Sequence, residues 1–281
     1  MKLARIGNPG AEIPAILDGD GAYRDLSSRI ADIDGNSLAD LSWADGLDVA
    51  GLPVIPEGAR IGPCVGSVGK FIGVGLNYSD HAAETGQPIP EEPILFGKAT
   101  SSICGPNDDV IIPKGSTKTD WEVELGIVIG QDASYVSEEE ASRHIAGYCV
   151  VNDVSERAFQ IEHSGQWIKG KSADTFGPIG PWLVTGDEVP DPQKLEMWLD
   201  VDGVRRQDGS TATMIFGVMT LVSYISQFMS LQSGDIITTG TPPGVGMGQN
   251  PQQFLQAGQV MTLGVEGLGE QRQRLVACHR H

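Results

Sequence analysis

Thirty-seven of the 281 residues are glycine, nearly twice the roughly 7% of an average chain. The glycines follow no Gly-X-Y period and form no low-complexity tract. They therefore mark frequent tight turns between short strands. The apolar runs fit that reading. Ile13 to Leu17 leads into Asp18-Gly19-Asp20-Gly21, a hairpin-like turn, and Phe71 to Leu76 suits a buried strand. Tyr148 to Val151, Asp235 to Thr239 and Val260 to Val265 read the same way. Helices are few. Ser79 to Glu84 predicts a short one closed by Gly86. Ser137 with Glu140 is a capping box opening a helix that stops near Gly147, which explains the run Glu138 to Glu140 as negative charge at a helix N-terminus. Val218 to about Leu231 predicts the longest helix, with Val218, Leu221, Val222, Ile225, Phe228 and Met229 as its core stripe. Many strands and few helices give a mostly β fold of mixed α+β character rather than a doubly wound sheet. We expect a small β-rich N-terminal domain over 1–66 and a larger second domain over 67–281.

Composition removes several function classes. Nineteen Lys and Arg against 37 Asp and Glu give a formal charge of −18, with no basic run, so nucleic acid and anionic membrane are excluded as partners. No apolar stretch approaches the ~18 residues of a membrane span, and the N-terminus lacks the apolar core of a signal peptide. The expectation is a cytoplasmic protein. Cys64, Cys104, Cys149 and Cys278 lie far apart without metal-ligand spacing and read as buried thiols. Gly165 to Ser172 matches the phosphate-binding pattern G-x-x-x-x-G-K-S letter for letter. That loop works only when a helix begins at its lysine, and Gly177, Pro178, Gly180 and Pro181 forbid one here.

The chemistry lies in Asp120-Trp121-Glu122-Val123-Glu124-Leu125-Gly126. On a strand, alternate residues share a face, so Asp120, Glu122 and Glu124 project together, opposite Trp121, Val123 and Leu125. Taken alone, such a pattern also fits a solvated polar face. Here the strand continues into an apolar run, and close buried carboxylates need a compensating cation. A second apolar strand ends at Asn152-Asp153. Oxygen ligation by Glu122, Glu124 and Asp153 suits Mg²⁺ or Mn²⁺ and leaves about three octahedral positions open.

The chain resembles the fumarylacetoacetate hydrolase family over essentially its whole length. Six stretches carry the resemblance, in order: Gly75 to Tyr78 with His81 to Glu84; Pro93 to Phe96 with Lys98; Asp120 to Gly126; Asn152 to Arg157; Lys171 to Pro178; and Thr239 to Gly246. Thr100 to Asn107 and Gly165-Gln166-Trp167 resemble most closely the bacterial 2,4-diketo-3-deoxy-L-rhamnonate or L-fuconate hydrolases of that family. Ala173 departs from the phenylalanine common beside the lysine, and we expect it to enlarge the pocket. The resemblance implies a β-roll or β-sandwich catalytic domain, a homodimer, one Mg²⁺ or Mn²⁺, and a small anionic 2-oxo acid as substrate. It assigns Glu122, Glu124 and Asp153 as metal ligands and leaves Asp120 beside them. It casts His81 and Glu84 as a dyad that activates water, and Lys171 as the group that holds an enolate. Gln160 and Thr241 become candidate substrate contacts, and Arg157 a structural partner of the acids. The implied reaction is hydrolysis of the C3–C4 bond of a 2,4-dioxo acid to pyruvate and a second acid. Alternatives on the same site are decarboxylation of oxaloacetate and isomerisation or hydration of a 2-oxo-enoic acid. A non-enzymatic binding protein and phosphoryl transfer are the competing classes.

Overall fold

Short strands separated by glycine turns assemble into two main sheets. The computed structural model describes residues 1–278, apart from the side chain of Thr85. Nine strands form the larger sheet, in the order Tyr23–Asp25, Ile13–Leu17, Lys2–Ile6, Leu183–Thr185, Ile145–Asn152, Val123–Ile129, Ile236–Thr238, Phe71–Gly75 and Ile94–Lys98. Five form the smaller, in the order Val204–Ser210, Glu196–Val201, Val260–Val265, Gly269–Ala277 and Val110–Ile112. The fold is mostly β with mixed sheets. The N-terminal strands do not stand apart from the rest, because Lys2–Ile6 pairs with Leu183–Thr185 and so extends the large sheet. Among the described residues, no helix is long and apolar enough to cross a membrane.

The strand Val123–Ile129 is the axis of the site. It pairs antiparallel with Ile145–Asn152 on one side and Ile236–Thr238 on the other, and every residue in it is buried. Val123, Leu125 and Ile127 pack with Leu199 and Leu263 of the smaller sheet and with Leu221 of the helix Val218–Ser226. Val128 faces the other way, against Cys149, Val151 and the N-terminal Leu3 and Ile16. Covering both faces explains an unbroken apolar run where a half-exposed strand would alternate.

Four expectations are corrected. The strand predicted from Asp120 is interrupted: Thr119–Asp120 pairs with Ser155–Glu156, and the long strand begins only at Val123. The capping box at Ser137 forms, but its helix is Glu138–Ala141 followed by one tight turn, and a strand starts at Ile145. Gly147 lies inside that strand, where a Cβ would come within 2.1 Å of the Val184 carbonyl oxygen; its glycine serves strand approach, not helix termination. The helix from Val218 ends at Ser226, so Phe228 falls off its buried face and is 63% exposed. Of the thiols, Cys64, Cys104 and Cys149 are buried but Cys278 is only half-buried.

Two expectations about loops hold. Gly86 closes the helix Ser79–Thr85 in a left-handed conformation, φ 66°. At the phosphate-loop look-alike the order of elements is reversed: a single helical turn, Ile168–Lys171, ends at the lysine instead of starting there.

Candidate active site

Two strand ends bring the acids together. Where the axial strand is interrupted, the Glu122 carbonyl accepts from the Asp153 amide at 2.9 Å, and the Glu122 amide donates to Asn152 Oδ1 at 3.3 Å. Asn152 is itself held by Gln273 from the smaller sheet, at 3.0 Å. The result is a cluster in which carboxylate oxygens of Glu122, Glu124 and Asp153 all lie within 4.8 Å of one another.

Three buried cations meet this cluster. Lys171 Nζ is 2.6 Å from Glu122 Oε2 and 2.6 Å from Asp153 Oδ2. Lys98 Nζ is 2.5 Å from Asp153 Oδ1 and also donates to the Lys171 carbonyl. Arg157 Nη2 is 2.6 Å from Glu122 Oε1, and its Nε is 2.8 Å from Asp120 Oδ2. Burial alone would raise the Glu122 carboxyl, but Arg157 and Lys171 outweigh it and hold the group down at about 2. Burial likewise disfavours the charged Lys171, yet Asp153 and Glu122 raise it above the ordinary lysine value.

Glu124 stands differently. Its Oε2 accepts from Thr238 Oγ1 at 2.5 Å and the Gly240 amide at 2.7 Å, and no lysine or arginine among the described residues forms an ion pair with it. Burial, with the charges of Asp153 and Glu122, pushes its pKa well above the carboxylate range. An all-oxygen donor set with one buried carboxylate lacking a cation fits a hard divalent ion.

Asp120 does not join the trio. Its oxygens accept from Arg157, from the Gly246 amide at 2.6 Å and from the Met247 amide at 3.0 Å. It thereby ties the loop 242–248 to the arginine that holds Glu122. The same loop receives the short helix above it: Glu84 Oε1 accepts from the Gly244 amide at 2.9 Å, while Glu84 Oε2 lies 3.0 Å from His81 Nδ1. The i,i+3 spacing sets this dyad on one helix face.

All eight residues nominated from the sequence, His81, Glu84, Glu122, Glu124, Asp153, Gln160, Lys171 and Thr241, line one cavity of about 580 Å³. The two nominated as substrate contacts are themselves bound to the protein. The Thr241 hydroxyl donates to the Val123 carbonyl at 2.9 Å and accepts from Gln207 Nε2 at 2.7 Å, so its proton is committed to the scaffold. Gln160 Oε1 accepts from Arg157 at 3.1 Å. Ala173 lines a different cavity, with Ile111, Lys114 and Val276, so its small side chain does not enlarge this one. Sequence reasoning placed Lys98 in a stretch that carries the family resemblance but gave it no role in the site. It also missed the aromatic wall of Phe96 and Trp167, whose ring centroids are 5.5 Å apart. Gly75 makes room for that wall, since a Cβ there would lie 2.3 Å from the Trp167 ring.

Residues 70–276 match the family model for the C-terminal region of fumarylacetoacetate (FAA) hydrolase. The chain belongs to the fumarylacetoacetate hydrolase family. A Burkholderia multivorans relative, provisionally named a hydrolase without a stated substrate, is 63% identical over 97% of this chain and 98% of its own. Among solved structures, a fumarylacetoacetate hydrolase from Exiguobacterium antarcticum superposes with TM-score 0.89 at 33% identity, covering 99% of this chain and 100% of the other. A probable 2-hydroxyhepta-2,4-diene-1,7-dioate isomerase from Mycobacterium abscessus gives TM-score 0.86 at 30% identity, covering 100% of both. A maleylpyruvate hydrolase from Sphingobium sp. SYK-6, solved with manganese(II) and pyruvate, gives 0.82 at 26% identity, covering 99% of both. The family context therefore spans hydrolases and isomerases.

Proposed function

We propose that this protein is a divalent-metal-dependent hydrolase that cleaves the C3–C4 bond of a 2,4-dioxo acid, giving pyruvate and a second carboxylic acid. A 2,4-diketo-3-deoxy sugar acid is the specific substrate favoured by the motifs around Thr100 and Trp167. The observation that carries the reading is the meeting, in one cavity, of the Glu122, Glu124 and Asp153 carboxylates with the His81–Glu84 pair. Manganese(II) with pyruvate in the Sphingobium hydrolase supports the same pairing of ion and product.

A Mg²⁺ or Mn²⁺ ion held by Glu122, Glu124 and Asp153 would supply a Lewis acid for the carboxylate and 2-oxo oxygens of the substrate and offset the negative field of the molecule. The protein's own groups do the rest. Glu84 orients the His81 ring through Nδ1, and Nε2 takes a proton from water as it adds to C4. As the C3–C4 bond breaks, its electron pair passes into the enolate of pyruvate, and the Lys171 ammonium stabilises the developing oxyanion. Protonation at C3 completes pyruvate, and the C4 carbonyl carbon leaves as the new carboxylic acid. Phe96 and Trp167 wall the cavity and limit water to the reacting molecule.

A second reading is favoured by the similarity to the Mycobacterium abscessus isomerase: isomerisation through the same enolate, needing no activated water. Incubation with 2,4-dioxopentanoate and Mg²⁺, following pyruvate and acetate, decides between them. We expect equimolar products that disappear on chelation. Isomerisation of a 2-oxo-enoic acid with no cleavage of the dioxo acid would overturn the hydrolytic reading.

A further inference from the structure

The cavity changes in charge from floor to mouth. At the floor, Asp120, Glu122, Glu124 and Asp153 face Lys98, Arg157 and Lys171, and all seven are buried. With a divalent ion added, the four carboxylates leave an excess of one positive charge, which a single ligand carboxylate neutralises. The mouth is different. Gln87, Ile161 and Gln252 are exposed there, and Trp167 and Met247 half-buried. Among the described residues lining the cavity, the only lysine and arginine are Lys171 and Arg157, both committed to floor acids. The ionisable groups nearer the opening are His81 and Glu84, paired with each other.

We propose that the end of the substrate remote from the floor is uncharged: the protein takes 2-oxo acids with one carboxylate and discriminates against those carrying a second one at the far end. The inference rests on the head-to-floor orientation of the proposed 2-oxo acid. A distal carboxylate would give up hydration, find no lysine or arginine at the mouth among the described residues, and approach Glu84 in a molecule of formal charge −18. Unpaired charge of this kind is a strong basis for rejecting a competitor. The Gln252 and Gln87 amides and the Trp167 ring suit a neutral chain, polar or apolar.

The test uses two acids of equal chain length that differ only at the far end, 2-oxopentanoate and 2-oxopentanedioate. Neither has a 4-oxo group to hydrolyse, so calorimetric titration of the Mn²⁺-loaded protein reads binding alone. We expect the monoacid to bind about tenfold tighter or more, and Gln252→Lys to shrink that ratio by raising affinity for the diacid. Equal or tighter binding of the diacid to the unaltered protein would overturn the inference, and so would a ratio that Gln252→Lys leaves unchanged. Absence of binding by both acids would remove it together with the head-to-floor orientation. A tenfold ratio in a protein that releases no pyruvate from 2,4-dioxopentanoate would uphold it and overturn only the hydrolytic reading.

Discussion

The floor and the roof of the cavity are built on opposite terms. The floor hangs from the middle of the nine-stranded sheet, its carboxylates and cations buried and, apart from Glu124, mutually paired. The roof is a helix of seven residues, Ser79–Thr85. Its root is firm: Tyr78 is buried and Asn77 Nδ2 donates to the Thr239 carbonyl at 2.8 Å. Its far end is exposed and held through the Glu84–Gly244 contact. An exposed end makes such a segment cheaper to open than a buried floor. In the proposed reaction the floor would position the substrate and the roof would carry the group that activates water.

Damage to the floor should be the more severe. Glu122→Gln removes a carboxylate from the trio and one partner each from Arg157 and Lys171. We expect metal-dependent turnover to be lost and divalent-ion affinity to fall by more than the about 10–100-fold typical of residues that only support a ligand. The fold should survive, with a stability loss below the about 3–5 kcal/mol of a broken buried pair, because Asp120 still pairs Arg157 and Asp153 still pairs Lys171. Calorimetric Mn²⁺ titration and a thermal melt measure both. Full turnover by the unaltered enzyme after exhaustive chelation would remove the floor from the chemistry altogether.

Damage to the roof should separate binding from turnover. His81→Ala should lower kcat by about 10²–10⁴-fold, the range of a lost general base. Its Mn²⁺ affinity should stay within about twofold, since its Nδ1 is turned to Glu84 rather than to the trio. If affinity and kcat fall together, His81 belongs to the floor and the contrast between the two regions fails.

What the sequence revealed follows the same division. Glu122 and Glu124 were legible as an alternating pair leading into an apolar run, although only Glu124 lies in the strand, and Asp153 because it ends a second apolar run. The helix carrying His81 was legible from Gly86, whose left-handed turn stops it. Features that depend on distant partners were not. Gly147 looks like a helix stop, yet the strand Leu183–Thr185 packed against it needs the glycine. Phe228 and Met229 keep helical spacing on paper, but the helix ends before them. Lys98 stands 55 residues from Asp153 in the chain, and no local pattern announces that contact. Ala173 follows Lys171 by two residues and still faces another cavity, because the helical turn ends between them.

Asp120 is where the two regions meet, and altering it should have the smallest effect of the three. One side of its carboxylate holds Arg157 and thereby Glu122; both oxygens hold the loop that receives Glu84. In Asp120→Asn an amide donor must face another donor whichever way it turns, since Oδ1 accepts from the Trp121 and Gly246 amides and Oδ2 from Arg157 and Met247. We expect kcat to fall about tenfold through a displaced roof, within the range that misplacement far from the chemistry produces, with Mn²⁺ affinity falling less than kcat. The discriminating measurement is a double-mutant cycle with Glu84→Ala. Loss of the Glu84 latch should make the second substitution count for less, giving a clear departure from additivity. Strict additivity would mean that Asp120 acts on the floor alone, and that floor and roof close independently of each other.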